Sequence, residues 1–217
     1  HRRYLAPPEV FELADYELKY RTLARLALAE PRLGYLAAAN PSSILRLFDV
    51  LAAERAALID DVASGHFAGW DDFPAALRTA LAPAAVPRPA RAAELRALGE
   101  QLDPARVWPD LKLVATWTGG SCGIALARVR AQLPAGCAVF DLGYLATEFR
   151  GTLTLAPGTT AGLPLLDEHF YEFVERDAWD AGAPVFLGLH ELQQGPLYYV
   201  LVSTVGGLAR YFMNDLV

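Results

Sequence analysis

Lysine is almost missing from this chain of 217 residues. Lys19 and Lys112 are the only two, and arginine supplies the other 17 of its 19 basic residues. Against 25 acidic residues this leaves a net charge of -6, so bulk electrostatics give no support to a nucleic-acid partner. Cysteine is equally sparse. Cys122 and Cys137 alone cannot build the disulfide framework of a small secreted domain, and both read as small, buried or half-buried residues in a reducing cytoplasm. Four histidines, none paired at ligand spacing, argue against a structural zinc site. No apolar run approaches the length of a membrane span. The opening residues, His1-Arg2-Arg3-Tyr4, have neither the apolar segment of a secretory signal peptide nor an initiator methionine, so a fragment of a longer chain is expected. The G-x-G-x-x-G fingerprint and the glycine-lysine-serine/threonine loop are absent too, which removes an NAD-dependent enzyme and a P-loop.

What is present supports a substantial core. Hydrophobic residues make up 53% and charged residues 20%, which fits one large domain or a piece of a bigger one and excludes disorder. The first half reads as helical. Asp15 can cap a helix through about Glu30, where Pro31 stops it. Asn40-Pro41 starts another, behind which Ile44, Leu45, Phe48, Leu51, Leu58, Ile59 and Val62 recur at helical spacing until Gly65. A short helix around Pro74–Leu81 precedes a proline-rich extended stretch, Ala82–Pro89, and helix resumes near Ala90–Leu102.

The second half changes character. Leu111–Thr116 reads as a strand and Gly119-Gly120-Ser121 as a tight turn whose serine can cap a helix running to about Leu133. Cys137–Phe140 is a second strand, bounded by Pro134 and Gly136 before it and Gly143 after it. Strand, glycine turn, helix and strand form the building block of a parallel sheet. Glu168–Val174 and Pro196–Thr204 carry strand-type residues, with Gln193-Gln194-Gly195 as the turn between strands. The fold class is therefore α/β, a mixed sheet with flanking helices, helical in front and β-rich behind.

Three places carry chemistry. Asp141-Leu142-Gly143-Tyr144-Leu145-Ala146-Thr147-Glu148 offers a ring face for a base, a hydroxyl for a phosphate and an oxygen anion for Mg²⁺, just past a strand end. The alternative is an ordinary strand-to-loop exit. Gly119-Gly120-Ser121-Cys122-Gly123 exposes backbone N–H groups at a helix start, which suits an anionic ligand, or is a plain β–α turn. Asp215, after Gly206-Gly207 and among apolar residues, could hold a ribose diol or be a turn aspartate. His169 reads as structural in preference to a base oriented by Asp167 or Glu168, since adjacent strand residues point to opposite faces and neither neighbour is well placed to orient it.

These motifs occur together, in this order, in one family. The chain resembles the GH3 acyl-acid amido synthetases, a branch of the adenylate-forming enzymes, and in particular their bacterial kind. The resemblance runs from Asn40-Pro41-Ser42-Ser43 and Val107-Trp108-Pro109-Asp110-Leu111-Lys112, through Gly119-Gly120-Ser121 and Gly143–Glu148. It continues over Leu163–Phe173 and ends at Gly207–Asp215. It implies that Gly119, Gly120 and Ser121 lie beside the adenine, with Tyr144 against its face. It further implies that Thr147 contacts the α-phosphate, Glu148 holds Mg²⁺, and Asp215 binds both ribose hydroxyls of ATP. The family form of the last motif is tyrosine-arginine-x-glycine-aspartate. Here Tyr211-Phe212-Met213-Asn214-Asp215 lacks the arginine and the glycine.

The implied reaction adenylates a small carboxylic acid, then passes the acyl group to an amine, typically an amino acid, releasing AMP and pyrophosphate. No nucleic acid and no membrane takes part, and the implied location is cytoplasmic. The family's serine/threonine- and glycine-rich phosphate loop and its small C-terminal domain have no counterpart here. The whole stretch 1–217 is thus expected to be an incomplete large N-terminal domain, inactive or nearly so alone. A catalytically silent relative with the fold retained is the alternative.

Overall fold

The computed structural model describes residues 4–217, so His1, Arg2 and Arg3 of the opening segment lie outside the described residues. The chain divides into two compact units. The first holds residues 4–142 with Ala156–Thr160, and the second holds Gly143–Leu155 with Ala161–Val217.

The first unit begins with helices whose caps were readable. Asp15 accepts a hydrogen bond from the Leu18 N–H (2.9 Å) and starts α1 (Tyr16–Ala29). Asn40 accepts from the Ser42 N–H (2.9 Å), with Pro41 opening α2 (Pro41–Ala53). The apolar run expected to continue unbroken to Gly65 is divided at Glu54, and α3 (Arg55–Ser64) follows. At the break the Glu54 carboxylate bonds Arg21 of α1, and Asp61 bonds the same guanidinium at 3.1 Å. After α4 (Ala75–Leu81), the proline-rich stretch makes one 3₁₀ turn at Ala82–Ala84 and then extends. The next helix, α5 (Pro89–Ala97), stops short of the expected Leu102, and α6 (Pro104–Val107) follows.

These helices share one apolar core that fully buries Leu28, Leu51, Leu58, Ile59, Leu95 and Trp108. The Trp108 indole donates to the Ala27 carbonyl at 3.0 Å, so its one polar atom is satisfied in the core. A second cluster gathers Val10, Leu26, Phe67, Phe73, Leu77 and Leu81. Beside it Arg25 is buried, donating to the carbonyls of His66 (3.0 Å) and Ala84 (2.9 Å) and lying over the Phe67 ring. Burial pushes its guanidinium down to about 10.

A parallel sheet in the order β1-β2-β3 packs against these helices, formed by Tyr35–Ala37, Leu113–Thr116 and Ala138–Asp141. Leu36, Val114 and Val139 stand in register across it. Between β2 and β3 lies α7 (Gly123–Arg130), which gives the expected strand, turn, helix and parallel strand. Two details differ from expectation. Ser121 makes no cap bond, because a 3₁₀ turn over Gly120–Cys122 precedes the helix, and α7 ends at Arg130. The short β1 had no sequence signal, being followed by alanines that favour helix.

The second unit is β-rich. β4 (Thr152–Thr154) pairs antiparallel with β5 (Gly162–Pro164). β6 (His169–Glu175), β7 (Tyr198–Thr204) and β8 (Tyr211–Leu216) form an antiparallel sheet in that order. Alternate residues Tyr171 and Phe173 of β6, with Tyr198, Val200 and Val202 of β7, build its core together with Phe149. Gln193-Gln194-Gly195 does not by itself turn one strand into the next. The connection runs through α8 (Arg176–Asp180), a bridge between Leu187 and Phe173, and a 3₁₀ turn at Leu189–Glu191. The α/β class, with helices in front and strands behind, agrees with the sequence reading. Among the described residues no helix is long and apolar enough to cross a membrane.

Candidate functional site

In the first unit, β2 and β3 end side by side, and ligands of parallel sheets bind beyond such carboxyl ends. Asp141, the last residue of β3, is buried and accepts from both the N–H (2.7 Å) and the hydroxyl (2.6 Å) of Thr118. This carboxylate ties the exit of one strand to the chain leaving the other. The sequence reading included Asp141 in the octet without giving it that role. Just beyond Thr118, Gly119, Gly120 and Ser121 are all exposed. Gly120 takes a left-handed backbone (φ +57°), and a side chain there would meet open space. The turn is thus open to solvent at Gly120.

In the second unit, the octet's end is a tight hairpin. Leu145 and Arg150 pair antiparallel, and the Ala146 N–H donates to the Phe149 carbonyl at 3.0 Å. Thr147 and Glu148 therefore sit at the tip, exposed, with the Thr147 hydroxyl donating to Glu148 Oε2 at 2.8 Å. The base is held on both sides. The Tyr144 N–H donates to Thr152 Oγ1 (2.8 Å), while its carbonyl accepts from the N–H groups of Gly151 (2.7 Å) and Thr152 (3.1 Å). Gly143 is indispensable at the entry. Its φ is +75°, and a Cβ there would stand 2.7 Å from the Thr152 carbonyl oxygen.

Aromatic contacts fasten this hairpin to β6. Phe149 is buried and meets the edge or face of Tyr144 (5.1 Å between centroids), His169 (5.3 Å) and Tyr171 (6.1 Å). The Tyr171 hydroxyl donates to the Gly151 carbonyl at 2.7 Å. The His169 side chain is 7% exposed, neither ring nitrogen has a hydrogen-bond partner, and Glu168 Oε2 stands 3.8 Å from Nε2, beyond hydrogen-bond range.

The structure joins two residues predicted from separate motifs. The Tyr144 hydroxyl donates to Asp215 Oδ2 at 2.6 Å. Burial first, then this bond and the carboxylate's charge, push the Tyr144 phenol far above its ordinary value. Asp215 lies within β8 and not in a turn. The strand bulges there: Tyr199 and Leu201 of β7 face Leu216 and Phe212 of β8, so a step of two residues opposes a step of four. Asn214 takes the left-handed backbone this requires, at φ +58°. Asparagine tolerates that region better than other side chains, which accounts for it where the family form has glycine. Phe212, at the arginine position, stacks flat on Trp179 at 4.4 Å. Arg210 is committed elsewhere, bonding both Glu172 oxygens at 2.9 and 3.0 Å.

Glu148 suits Mg²⁺ in the manner typical of that ion, which uses one or two carboxylates together with substrate phosphate oxygens. Among the described residues no group of three or more metal-ligating side chains gathers. Both cysteines are free and half-buried, and burial raises the Cys137 thiol against the pull of Lys112.

No protein of the curated set matches the chain. Among solved structures, a "GH3.15 acyl acid amido synthetase" is similar in fold, with a TM-score of 0.80 at 19% identity over 98% of this chain and 39% of that one. "AtGH3.15 acyl acid amido synthetase in complex with 2,4-DB" gives a TM-score of 0.77 at 20% identity, over 94% of this chain and 36% of that one. The chain thus spans about two-fifths of the length of these structures. The GH3 family central domain matches residues 162–217. The GH3 family N-terminal domain matches residues 1–134, more than half of the chain, and on that match the chain belongs to the GH3 family.

Proposed function

We propose that this chain is part of an ATP-dependent ligase that adenylates a carboxylic acid and transfers the acyl group to an amine, typically an amino acid, forming an amide. AMP and pyrophosphate leave. The observation that carries this reading is the 2.6 Å bond between Tyr144 and Asp215, which joins two sequence-distant segments that the family resemblance assigns to the nucleotide. The exposed hairpin tip bearing Thr147 and Glu148 supports it further.

In this reading the Tyr144 ring lies against adenine, Asp215 accepts from the ribose hydroxyls, and Thr147 donates to the α-phosphate. Glu148 would hold Mg²⁺, whose charge would offset that of the phosphates. Gly119, Gly120 and Ser121 enter on their family resemblance as the turn on the base side. The work of these residues is positioning and charge neutralisation around the phosphorus that the carboxylate attacks. Adenylation is assigned to a longer protein that includes the family's phosphate loop.

A silent, nucleotide-binding relative is the second reading, favoured by Phe212 where the family has arginine. Intact Tyr144, Thr147 and Glu148 oppose it. Pyrophosphate release by the full-length protein, screened over aryl, indole and fatty acids with ATP and Mg²⁺, separates the two. Release that depends on an added acid supports the ligase. ATP binding without release under every acid supports the silent relative.

A further inference from the structure

Asp215 sits on a bulge of an exposed strand, beside a residue in the left-handed region. Nothing in that setting dictates one direction for its carboxylate. Tyr144 is the opposite case. Its backbone N–H and carbonyl are both bonded across the hairpin, and its ring meets Phe149 edge-on. The rigid partner therefore orients the loose one. A phenol donating to a carboxylate is a charge-assisted bond, short and directional. It occupies Oδ2 and leaves Oδ1 for other donors.

We propose that the Tyr144 hydroxyl is a positioning group that fixes Asp215 for a vicinal diol, so that the chain's preference for a ribonucleotide depends on the phenol as well as on the carboxylate. This rests on the reading of Asp215 as the ribose residue, and adds that Tyr144 acts through two separate parts. Its ring face serves the base and its hydroxyl serves the sugar, through Asp215. Burial, and then the bond to Asp215 itself, raise the phenol's pKa, so it stays protonated and donating.

Tyr144→Phe separates the two parts, because it keeps the ring and removes the donor. The test measures binding of ATP and of 2′,3′-dideoxy-ATP, each with Mg²⁺, to the full-length protein by calorimetry. We expect Tyr144→Phe to weaken ATP by about tenfold, the scale of losing a preorganised charge-assisted bond, and to leave the dideoxynucleotide unchanged. In an Asp215→Ala background the same substitution should change neither nucleotide. Equal weakening of both nucleotides by Tyr144→Phe would overturn the proposal, since the loss would then come through the ring or the fold. So would ATP binding as tight as wild type. If instead Asp215→Ala itself binds ATP like wild type, the ribose reading of Asp215 fails, and the proposal falls with it.

Discussion

The turn at Gly119–Ser121 and the hairpin at Tyr144–Phe149 both carry expected nucleotide contacts, yet they are built in opposite ways. The turn is exposed, makes no side-chain cap bond and has open space at Gly120. The hairpin is fixed by backbone pairing, by Thr152, and by an aromatic cluster reaching into the sheet core. The turn offers an exposed backbone with no side chain over Gly120. The hairpin presents two chosen side chains at a fixed place. Under the proposed function, precise placement of a phosphate contact and a metal ligand would need such a supported scaffold, whereas an edge that only lies beside a base would not.

That contrast can be broken most severely at Phe149. Phe149→Ala empties the contact between hairpin and β6, and should cost about 3–5 kcal/mol, as for other buried aromatic truncations. Denaturant melts of the full-length protein read this directly. A loss under 1 kcal/mol, on the order of a surface substitution, would show that the hairpin stands without its aromatic support.

Matched glycine substitutions sharpen the comparison. Gly143→Ala meets the Thr152 carbonyl and an unfavourable φ together, so a loss of at least about 2 kcal/mol is expected. Gly120→Ala meets only the φ cost, about 1 kcal/mol. Equal losses would mean that the two motifs are supported alike.

The smallest effect is on pH. The folded pKa of Tyr144 is raised above the ordinary 10.0, so the unfolded chain loses this proton first as pH rises. The stability linked to it is complete below pH 10 and is lost above it. A tyrosinate absorbance titration, wild type minus Tyr144→Phe, should show no ionisation of this phenol around pH 10 while the protein stays folded. Half-ionisation there would place Tyr144 in an ordinary, solvated setting.

Much of this was legible because glycine, proline and capping residues punctuate the chain. Asp15, Asn40-Pro41 and Gly65 marked helix ends, and the strand, glycine turn, helix and strand around α7 followed from apolar runs between glycines. What was not legible is tertiary. Three-residue β1 exists because β2 pairs with it, against the helix preference of the alanines beside it. The division at Glu54 involves Arg21, 33 residues away. The Gln193–Gly195 stretch looked like a hairpin turn because local composition cannot reveal that Leu187 has already bridged to Phe173. Asn214 stood out as a missing glycine, and only the bulge shows that the two residues answer the same backbone demand. The pairing of Tyr144 with Asp215 had no local signal in either segment.

The central claim is that the hairpin tip serves a metal-assisted adenylation. Its most direct test is Glu148→Ala in the full-length protein, measured by acid-dependent pyrophosphate release at saturating Mg²⁺ alongside a thermal melt. Glu148 is exposed and supports no core contact, so the melting midpoint should not move. Release should fall by about a hundredfold or more, the scale of losing a charge-stabilising group at a reacting phosphate. Unchanged release by a folded Glu148→Ala protein would contradict the account.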